Sequence, residues 1–570
     1  MKMKGSRMVV ESLKNEGVEK LFCYIGGSVI PIFDALYTYG HNIDRISPRH
    51  EQGGTHAADG YARSTGKPGV VLVTSGPGAT NALTGIATAY MDSIPIVIIT
   101  GQVSGKYIGT DAFQESDITG ITMPITKANF LIKSSSDIAM TFKKAFYIAN
   151  TGRKGPVLID IPIDVQNEEC EFNYPDSIEI TGYKPDYNSY SGQIKRAVDL
   201  IRNSKQPLII SGGGIISSNA VEELNKFTEK FGIPVVNTLM GYGCDPGNSS
   251  LYLGGMGMHG SLYGNFAVSN CDLVIALGSR FSDRILGDPE KFAPKAKIIH
   301  VDIDPAEIGK NINADLSIIG SVKNILHEFN KNEPSTDFST WLKMILDYKK
   351  LHPLEYKPSE NMRPQYVIQK SAEIFNEDTI VVTDVGQHQM WVPQFFPIRK
   401  SGIHLTSGGL GTMGFALPAA IGAKIGNPEK EVLMFSGDGG FQMNIQELTT
   451  IKKYNLDLKM IILDNAYLGM VRQWQQLLYG GRYSQTDMED NPDFVKVAQA
   501  FGIEAKRVNS KDECIDAIHQ LKKTKKAMLL HIPVEREENV LPMVPAGKPL
   551  DEAVTEIKNN NLTRRKNNGK

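Results

Sequence analysis

The chain has 570 residues, of which 41% are hydrophobic and 22% are charged, and its formal net charge at pH 7 is −2. This length is too great for one hydrophobic core and predicts about three domains, while the near-neutral charge gives no footprint for nucleic acid. No apolar run is long enough for a membrane span, and the amino terminus lacks the apolar stretch of a signal peptide, so we expect a cytoplasmic protein. The five cysteines are far apart, so we expect neither a disulfide framework nor a zinc site.

Short apolar runs that alternate with helical patterns divide the chain into three blocks. Such runs are typical of buried parallel strands, so each block is predicted to be a doubly wound α/β domain. The turn-rich residues 173–191 and the charged residues 332–363 are interpreted as connections. A C-terminal tail, residues 546–570, ends in a polar and basic stretch that is predicted to be disordered. The three domains are predicted at residues 1–170, 192–331 and 364–545.

In the first block, one acidic residue stands out at a predicted strand end. Glu51 follows the strand and precedes a helix rich in small residues. A carboxylate at such a position often does no more than stabilise the amino terminus of a helix through the helix dipole. The residue alone therefore leaves a structural and a catalytic role open.

In the second block, glycine-rich or polar segments follow the predicted strands. Strand ends of this kind are where an open parallel sheet binds a dinucleotide. The usual GxGxxG spacing is absent, so the pattern alone is equally compatible with an empty dinucleotide fold. The strand-end residues are Gly212, Gly213, Gly214, Thr238, Leu239, Met240, Met258, His259, Gly260, Asp302 and Ile303.

In the third block, residues 436–465 predict a strand–helix–strand unit. The first apolar run ends in Gly437-Asp438-Gly439, a helical pattern covers 442–453, and the second apolar run ends in Asp464-Asn465. Because a right-handed parallel crossover opens both strand ends at one edge of the sheet, we expect Asp438 and Asn465 to meet there. Two oxygen ligands beside glycines and a helix start suit Mg²⁺ with a phosphorylated ligand.

The sequence GDG, followed by 25 residues and an Asn, resembles the cofactor-binding motif of thiamine diphosphate (ThDP) enzymes. Many members of that family have Asn where this chain has Asp464. The resemblance implies that Mg²⁺ is held by the side chains of Asp438 and Asn465 and by the backbone carbonyl of Tyr467. It also implies ThDP contacts from Gly386, Gln387, His388, Gly411, Met413, Asp438, Gly439 and Gly440.

The segment around Glu51 resembles the pyrimidine-binding domain of the same enzymes. The resemblance implies that Glu51 is catalytic and hydrogen-bonds N1′ of the cofactor's aminopyrimidine. A carboxylic acid suits this role because an apolar pocket favours its protonated form. In this family the Glu of one subunit reaches the cofactor bound by another, so we expect a homodimer or homotetramer with active sites at the subunit interfaces.

Nearly the whole chain resembles the catalytic subunit of the acetohydroxyacid synthase (acetolactate synthase) family. The segments GTDAFQE and ITKANFLI match that family's active-site loops, which implies catalytic roles for Gln114 and Lys127 and a substrate contact for Phe113. Arg284 would pair with the carboxylate of the second 2-oxoacid, because its guanidinium fork fits two oxygens. Arg280 and the strand-end residues of the second block would bind FAD.

A stripe of large side chains follows the metal motif. Tyr467, Met470 or Val471, and Trp474 fall on one face of a predicted helix. Such a stripe is usually part of a hydrophobic core. The resemblance implies instead that Met470, Val471 and Trp474 contact substrate and that Trp474 favours 2-oxobutyrate as acceptor.

The resemblance therefore implies three doubly wound domains, which bind the ThDP pyrimidine, FAD, and the ThDP diphosphate with Mg²⁺. It implies decarboxylation of pyruvate and transfer of the hydroxyethyl unit to pyruvate or 2-oxobutyrate, in valine, leucine and isoleucine biosynthesis. Members of the family often have a separate small regulatory subunit. A flavin-dependent pyruvate oxidase, a carboligase with another acceptor and a catalytically silent paralogue stay open as alternatives. Ser282 and Ile25, which depart from the family pattern, leave room for the second of these.

Overall fold

A computed structural model describes residues 1–185, 191–247, 249–334 and 336–556. Three six-stranded parallel sheets, each flanked by helices, make up the fold. This arrangement confirms the predicted α/β class with three doubly wound domains. All five cysteines are free thiols, and within the described ranges no helix has the length and apolar character that a membrane span requires.

The first domain contains one six-stranded sheet and a small antiparallel ribbon. Its strands are β1 (Lys2–Lys4), β2 (Lys20–Cys23), β3 (Asp44–Ile46), β4 (Gly69–Val73), β5 (Ile96–Gln102), β6 (Ala128–Leu131), β7 (Val157–Pro162) and β8 (Glu169–Glu171). Its helices are α1 (Gly5–Asn15), α2 (Ile30–Tyr39), α3 (Glu51–Thr65), α4 (Pro77–Asn81), α5 (Leu83–Asp92), α6 (Ile118–Thr122), α7 (Ile138–Asn150) and α8 (Ile163–Asn167). The sheet order is β3-β2-β4-β5-β7-β6, and β1 pairs with β8.

The second domain has the strand order of a dinucleotide-binding fold. Its strands are β9 (Pro207–Ser211), β10 (Val235–Asn237), β11 (Tyr252–Gly255), β12 (Leu273–Leu277), β13 (Lys297–Asp302) and β14 (Leu316–Ile319). Its helices are α9 (Ser191–Asn203), α10 (Gly213–Ser217), α11 (Val221–Phe231), α12 (Leu262–Asn270), α13 (Asp283–Leu286), α14 (Val322–Asn330) and the connecting α15 (Ser339–Leu351). The order β11-β10-β9-β12-β13-β14 reverses direction between β9 and β12, which is where such folds bind ligands.

The third domain repeats the topology of the first. Its strands are β15 (Ile380–Thr383), β16 (His404–Leu405), β17 (Val432–Gly437), β18 (Lys459–Asp464), β19 (Glu504–Arg507) and β20 (Met528–Pro533). Its helices are α16 (Pro364–Ile374), α17 (Gln387–Phe395), α18 (Ala416–Gly426), α19 (Asp438–Gln442), α20 (Leu448–Lys453), α21 (Gly469–Leu478), α22 (Phe494–Ala500) and α23 (Lys511–Lys523). When the strands of each six-stranded sheet are numbered in chain order, the sheets of the first and third domains both have the order 2-1-3-4-6-5. In the third domain the order therefore reverses between β15 and β17.

The strand–helix–strand unit predicted at residues 436–465 is present, but its helix is broken. Helix α19 begins at Asp438 itself, and α20 covers only Leu448–Lys453 of the predicted helical stretch. The side-chain amide of Asn444 donates to the carbonyl of Gly414 at 2.7 Å. This bond holds the intervening residues against a neighbouring loop, so they do not continue the helix.

The connecting and terminal segments are only partly described. Residues 186–190 of the predicted first connection and residues 557–570 of the tail lie outside the described residues. In the described part of the tail, Leu550 is buried in the hydrophobic cluster of the second domain that contains Phe281 and Trp341. The residues just after the third domain therefore pack against the second domain.

The first and third domains meet where α3 crosses α18. Small residues let the two backbones approach closely: a Cβ atom on Gly60 would overlap the carbonyl of Ala419, and one on Gly422 would overlap the carbonyl of Ala57. Glycine is thus required sterically at both positions. This crossing sets the position of α3, and hence of Glu51 at its first residue, relative to the third domain.

We expect Gly422→Ala to destabilise the protein, because the new methyl group would force α3 and α18 apart at a cost of about 1–3 kcal/mol. The measurement is the midpoint of thermal unfolding. Gly192→Ala is the matched control, since outside its own helix no atom of the described residues lies within 4 Å of a Cβ at that position. Equal midpoints for the two variants would contradict the close helix crossing.

Candidate active site

The predicted metal ligands lie at one edge of the third sheet. Because Gly437 on β17 is opposite Leu463 on β18, the residues that follow each strand leave the sheet side by side. The Asp438 carboxylate is buried, and its Oδ2 accepts a hydrogen bond from the Asn491 amide at 2.7 Å. Burial, together with the nearby Asp464 carboxylate, raises the pKa of Asp438 to about 7. A cation at this edge would therefore stabilise the ionised carboxylate.

Asp464 shapes the turn that carries the other two predicted ligands. Its Oδ1 accepts from the backbone N–H of Ala466 at 3.0 Å, and its Oδ2 is hydrogen-bonded to His531 Nε2 at 2.7 Å. Although burial opposes ionisation, these bonds hold the pKa of Asp464 below its ordinary value. Ala466 has a φ of +51°, so the chain turns sharply between Asn465 and Tyr467. The departure from Asn at position 464 thus serves a structural purpose here.

A chain of side-chain amides orients Asn465. Its Nδ2 donates to Gln387 Oε1 at 3.2 Å, and Gln387 Nε2 donates to Gln473 Oε1 at 2.9 Å and to the Glu538 carbonyl at 2.8 Å. With its nitrogen engaged, Asn465 presents only its oxygen to the turn, where Oδ1 accepts from Tyr467 N–H at 3.2 Å. A carboxylate, an amide oxygen and a backbone carbonyl form the all-oxygen donor set that Mg²⁺ prefers.

A cradle suited to phosphate lies where the strand order of the third sheet reverses, between β15 and β17. Gly386 precedes α17 with a φ of +153°. A Cβ on Gly386 or Gly437 would lie 3.1 or 3.2 Å from the His388 ring, so both glycines leave room for it. Burial lowers the pKa of His388 to about 4, and its Nε2 has no hydrogen-bond partner among the described residues. An imidazole nitrogen without a partner can donate to a diphosphate when it carries a proton, and the adjoining helix amino terminus favours the same anion.

Asp384 ties the loops of this edge together, although sequence reasoning missed it. Its buried carboxylate accepts from the backbone N–H groups of Val385 at 2.8 Å, Gly414 at 3.0 Å and Ala416 at 3.0 Å. Burial raises its pKa to about 6. A Cβ on Gly440 would overlap this carboxylate, so the glycine is needed for the approach. The available signal was a carboxylate between a strand and a glycine turn.

The loop with the predicted pyrimidine contacts is held from the first domain. Asp92 accepts from the N–H groups of Gly408 and Gly409 at 3.0 and 2.7 Å, and Arg63 pairs with it at 2.8 Å. Further along the loop, Gly411 has a φ of +72°. The Met413 methyl lies 3.4 Å from a Cβ built on Gly439. Met413 therefore lies beside the start of α19, next to the predicted metal ligand Asp438, and its contact with the cofactor stays a prediction.

Glu51 lies at the first residue of α3 and is 8% exposed. Its Oε2 accepts from the Asn81 amide at 3.0 Å. Within the described part of the chain, its carboxylate makes no hydrogen bond to the third domain. One copy of the chain therefore does not join the Glu51 carboxylate to the metal-binding edge through a hydrogen bond.

The other predicted residues of the first domain are in two different environments. Phe113 is 88% exposed, and Gln114 has a φ of +59° in the same loop, where its backbone packs against Gly76. The Lys127 ammonium donates to the carbonyls of Ile148 and Thr151 and to the Tyr183 hydroxyl. Burial lowers the pKa of Lys127 to about 8. These bonds hold Lys127 within its own domain; its catalytic role stays a prediction, and the contacts favour a structural one.

Arg284 and Trp474, which come from different domains, meet in space. The Arg284 guanidinium lies 5.4 Å from the centre of a Trp474 ring, and its Nη1 is 3.7 Å from Met258 Sδ. The Arg284 side chain is 57% exposed. Trp474 Nε1 is buried and has no partner within the described ranges. On the same helix, Met470 is half-buried and Val471 is 50% exposed. The pair forms a cationic, aromatic surface suited to a carboxylate.

The predicted flavin contacts line the carboxyl edge of the second sheet. A Cβ on Gly212 would overlap the Gly278 carbonyl, and one on Gly214 would lie 2.5 Å from Gly278 Cα, so the β9 and β12 loops touch where the strand order reverses. Asp302 is the last residue of β13, and the other predicted contacts follow their strands: Gly213, Thr238, Leu239, Met240, Met258, His259, Gly260 and Ile303.

Polar groups at this edge fit a ligand of dinucleotide type. His259 Nδ1 and Ser279 Oγ are buried without partners among the residues the structure describes. Burial lowers the pKa of His259 to about 4 and raises that of Asp302 to about 6. Arg280 donates instead to the carbonyl of Met91 in the first domain.

The three domains match three parts of one enzyme family. Residues 3–121 match the N-terminal TPP binding domain of thiamine pyrophosphate (ThDP) enzymes, residues 194–329 their central domain, and residues 384–532 their C-terminal TPP binding domain.

Curated relatives cover almost the entire chain. The probable acetolactate synthase large subunit of Methanocaldococcus jannaschii is 48% identical over 98% of this chain and 96% of its own length. The acetolactate synthase large subunits of Buchnera aphidicola subsp. Schizaphis graminum and Haemophilus influenzae are 46% and 44% identical, over 96% and 97% of this chain and 98% of each relative.

We expect Asp384→Asn to weaken Mg²⁺-dependent ThDP binding by ~10- to 100-fold, the range for residues that orient metal ligands. The amide nitrogen would face a backbone N–H and loosen a loop of the site. Calorimetric titration of ThDP with Mg²⁺ measures this. Asp378→Asn is the control. Asp378 precedes β15, the strand that Asp384 follows, but its side chain is 67% exposed and pairs with Lys400. Unchanged affinity in Asp384→Asn would refute the role of Asp384.

Proposed function

Since this chain belongs to the acetolactate synthase large-subunit family of thiamine pyrophosphate enzymes, we propose that it joins two 2-oxoacids with loss of CO₂. The donor is pyruvate, and the acceptor is a second pyruvate or 2-oxobutyrate. The products are 2-acetolactate or 2-aceto-2-hydroxybutyrate, precursors of the branched-chain amino acids. The observation that carries this proposal is the meeting of Arg284 with Trp474, on the helix that directly follows the predicted metal-binding turn.

ThDP, when bound, supplies the electron sink that decarboxylation of a 2-oxoacid requires. Asp438, Asn465 and the Tyr467 carbonyl hold Mg²⁺, and His388 with the amino end of α17 holds the diphosphate. Gly411 and Met413 would contact the pyrimidine side of the cofactor, where a flexible methionine side chain can adapt to the shape of the ligand. The oxygen-only donor set supports this assignment, as does His388 Nε2, which has no partner in the part of the chain that the structure describes.

Glu51 holds a proton at N1′ of the pyrimidine and works across a subunit interface. Large apolar side chains are exposed around the separate halves of the site, including Phe113 at 88%, Met443 at 53% and Leu410 at 44%. Apolar side chains exposed around a functional site are typical of surfaces that another subunit covers. We therefore infer a homodimer or homotetramer in which Glu51 and the Phe113 loop complete the site of the other subunit.

Arg284 selects the acceptor. Its guanidinium can form two parallel hydrogen bonds with a carboxylate, and the Trp474 ring beside it restricts the space for the rest of the acid. Desolvation by the ring strengthens the charge pair. The acceptor is thus oriented with its ketone toward the ThDP-binding edge.

FAD fits the carboxyl edge of the second sheet, where the β9 and β12 loops touch. His259 Nδ1 and Ser279 Oγ, which have no partners among the described residues, lie at the same edge. The reaction is redox-neutral, so we assign the flavin a structural role. Because the relatives are named large subunits, we also propose that a small regulatory subunit binds this chain.

The test is incubation of the purified protein with pyruvate, ThDP, Mg²⁺ and FAD while CO₂, acetolactate and oxygen are followed together. We expect one acetolactate per CO₂ with little oxygen uptake, because the electrons of the cleaved bond form the new carbon–carbon bond. Oxygen uptake matched to CO₂, without acetolactate, would identify a pyruvate oxidase instead. Failure to bind ThDP would identify a silent paralogue.

We expect Trp474→Leu to reduce the preference for 2-oxobutyrate over pyruvate by ~10-fold or more, since one methylene in an apolar pocket is worth about 1–3 kcal/mol. The product ratio at equal acceptor concentrations measures this preference. Trp391→Leu, at a buried site of α17, is a comparison for general damage to the domain. An unchanged product ratio in Trp474→Leu would remove Trp474 from the acceptor pocket.

A further inference from the structure

A buried carboxylate of the third domain accepts hydrogen bonds from the backbone just before Glu51. Glu447 is 1% exposed and lies in the segment between α19 and α20. Its Oε1 accepts from the backbone N–H groups of Arg49 at 2.9 Å and His50 at 3.0 Å. Its Oε2 accepts from the Thr450 hydroxyl at 2.6 Å. Two consecutive amides of the loop that leads into α3 are thus bound by a different domain.

The surrounding residues are arranged to permit this contact. A Cβ on Gly53, in the first turn of α3, would overlap Glu447 Oε1, so only glycine lets the carboxylate approach. A second bridge lies nearby: the Tyr454 hydroxyl accepts from Ser47 N–H at 2.7 Å and donates to the Arg45 carbonyl at 3.0 Å. Both bridges come from the crossover between β17 and β18, where Glu447 precedes α20 and Tyr454 follows it.

The hydrogen bonds of Glu447 are suited to holding the loop before α3 in one position. Three donors converge on Glu447, and a carboxylate has only acceptor oxygens, so all three are satisfied at once. Burial raises the pKa of Glu447, while the bonds from Thr450, Arg49 and His50 oppose that rise. An unpaired carboxylate would be costly at this depth, so the loop amides and the acid hold each other in place.

We propose that Glu447 is the positioning residue for Glu51: it fixes the amino end of α3 and thereby the carboxylate that acts on the cofactor. The inference rests on the proposed function of Glu51. It has a consequence for the assembly. The crossover unit that carries Asp438 and Asn465 for one active site also holds, in the same chain, the Glu51 that serves the other site.

The test compares Glu447→Ala with Glu447→Gln in the holoenzyme. Alanine removes the acceptors, so Glu51 loses its position, and we expect hydrogen–deuterium exchange at C2 of bound ThDP and kcat to fall together by ~10- to 100-fold. KM for pyruvate should change little. Glutamine keeps one oxygen for Arg49 and His50, and the Thr450 hydroxyl can turn to accept from the new amide, so most of the C2 exchange rate should return. Glu429→Ala, an exposed acid of the same domain, is the control.

A cofactor-free measurement examines the same contact directly. Amide exchange of the peptide covering residues 47–53 should accelerate in Glu447→Ala and stay slow in Glu447→Gln. If Glu447→Ala does not fold, Gly53→Ala displaces the carboxylate from the other side and should slow C2 exchange in the same way. Wild-type C2 exchange in a folded Glu447→Ala or Gly53→Ala protein overturns the positioning role. Absence of acetolactate from the wild-type enzyme, with C2 exchange intact, overturns the proposed function instead.

Discussion

Buried negative charge at one sheet edge is the constraint around which this active site is organised. Asp384, Asp438 and Asp464 all lie where β15, β17 and β18 end, and an ionised carboxylate in such surroundings is stable only with hydrogen bonds or a countercharge. Asp384 is satisfied by three loop amides and Asp464 by His531 and Ala466. Asp438 accepts a hydrogen bond from the Asn491 amide, and it is the carboxylate whose negative charge a metal ion would best complement.

The same need for partners joins the domains. Glu447 and Asp92 are acids that reach backbone amides of another domain, and each fixes a loop of the cofactor site. Hydrogen bonds to backbone specify a loop conformation more closely than apolar packing does, because their distance and direction are both restricted. The apolar crossing of α3 and α18 brings the domains together, and the buried acids then set the loops.

The division of the site among domains also explains its chemistry. In the proposed function, the third domain supplies oxygen ligands and a helix amino terminus for the charged end of the cofactor, and the first supplies the buried Glu51 for its pyrimidine. The second contributes Arg284, the proposed acceptor-binding residue, whose side chain is 57% exposed.

The sequence by itself determined the α/β class, the three parallel sheets and the family, because buried strand runs and the GDG…Asn spacing are local patterns that the parallel crossover rule converts into one sheet edge. It also predicted the strand-end positions of Gly212 and Asp302. Only the tertiary structure decided the break between α19 and α20, the hydrogen bonds of Lys127, and the backbone amides that Asp384 and Glu447 bind. Arg284 and Trp474 were each predicted at the acceptor site, but their contact depends on how two domains pack. The physical reason is that these features depend on partners distant in sequence, and local patterns carry no information about which backbone amide or ring a side chain will meet.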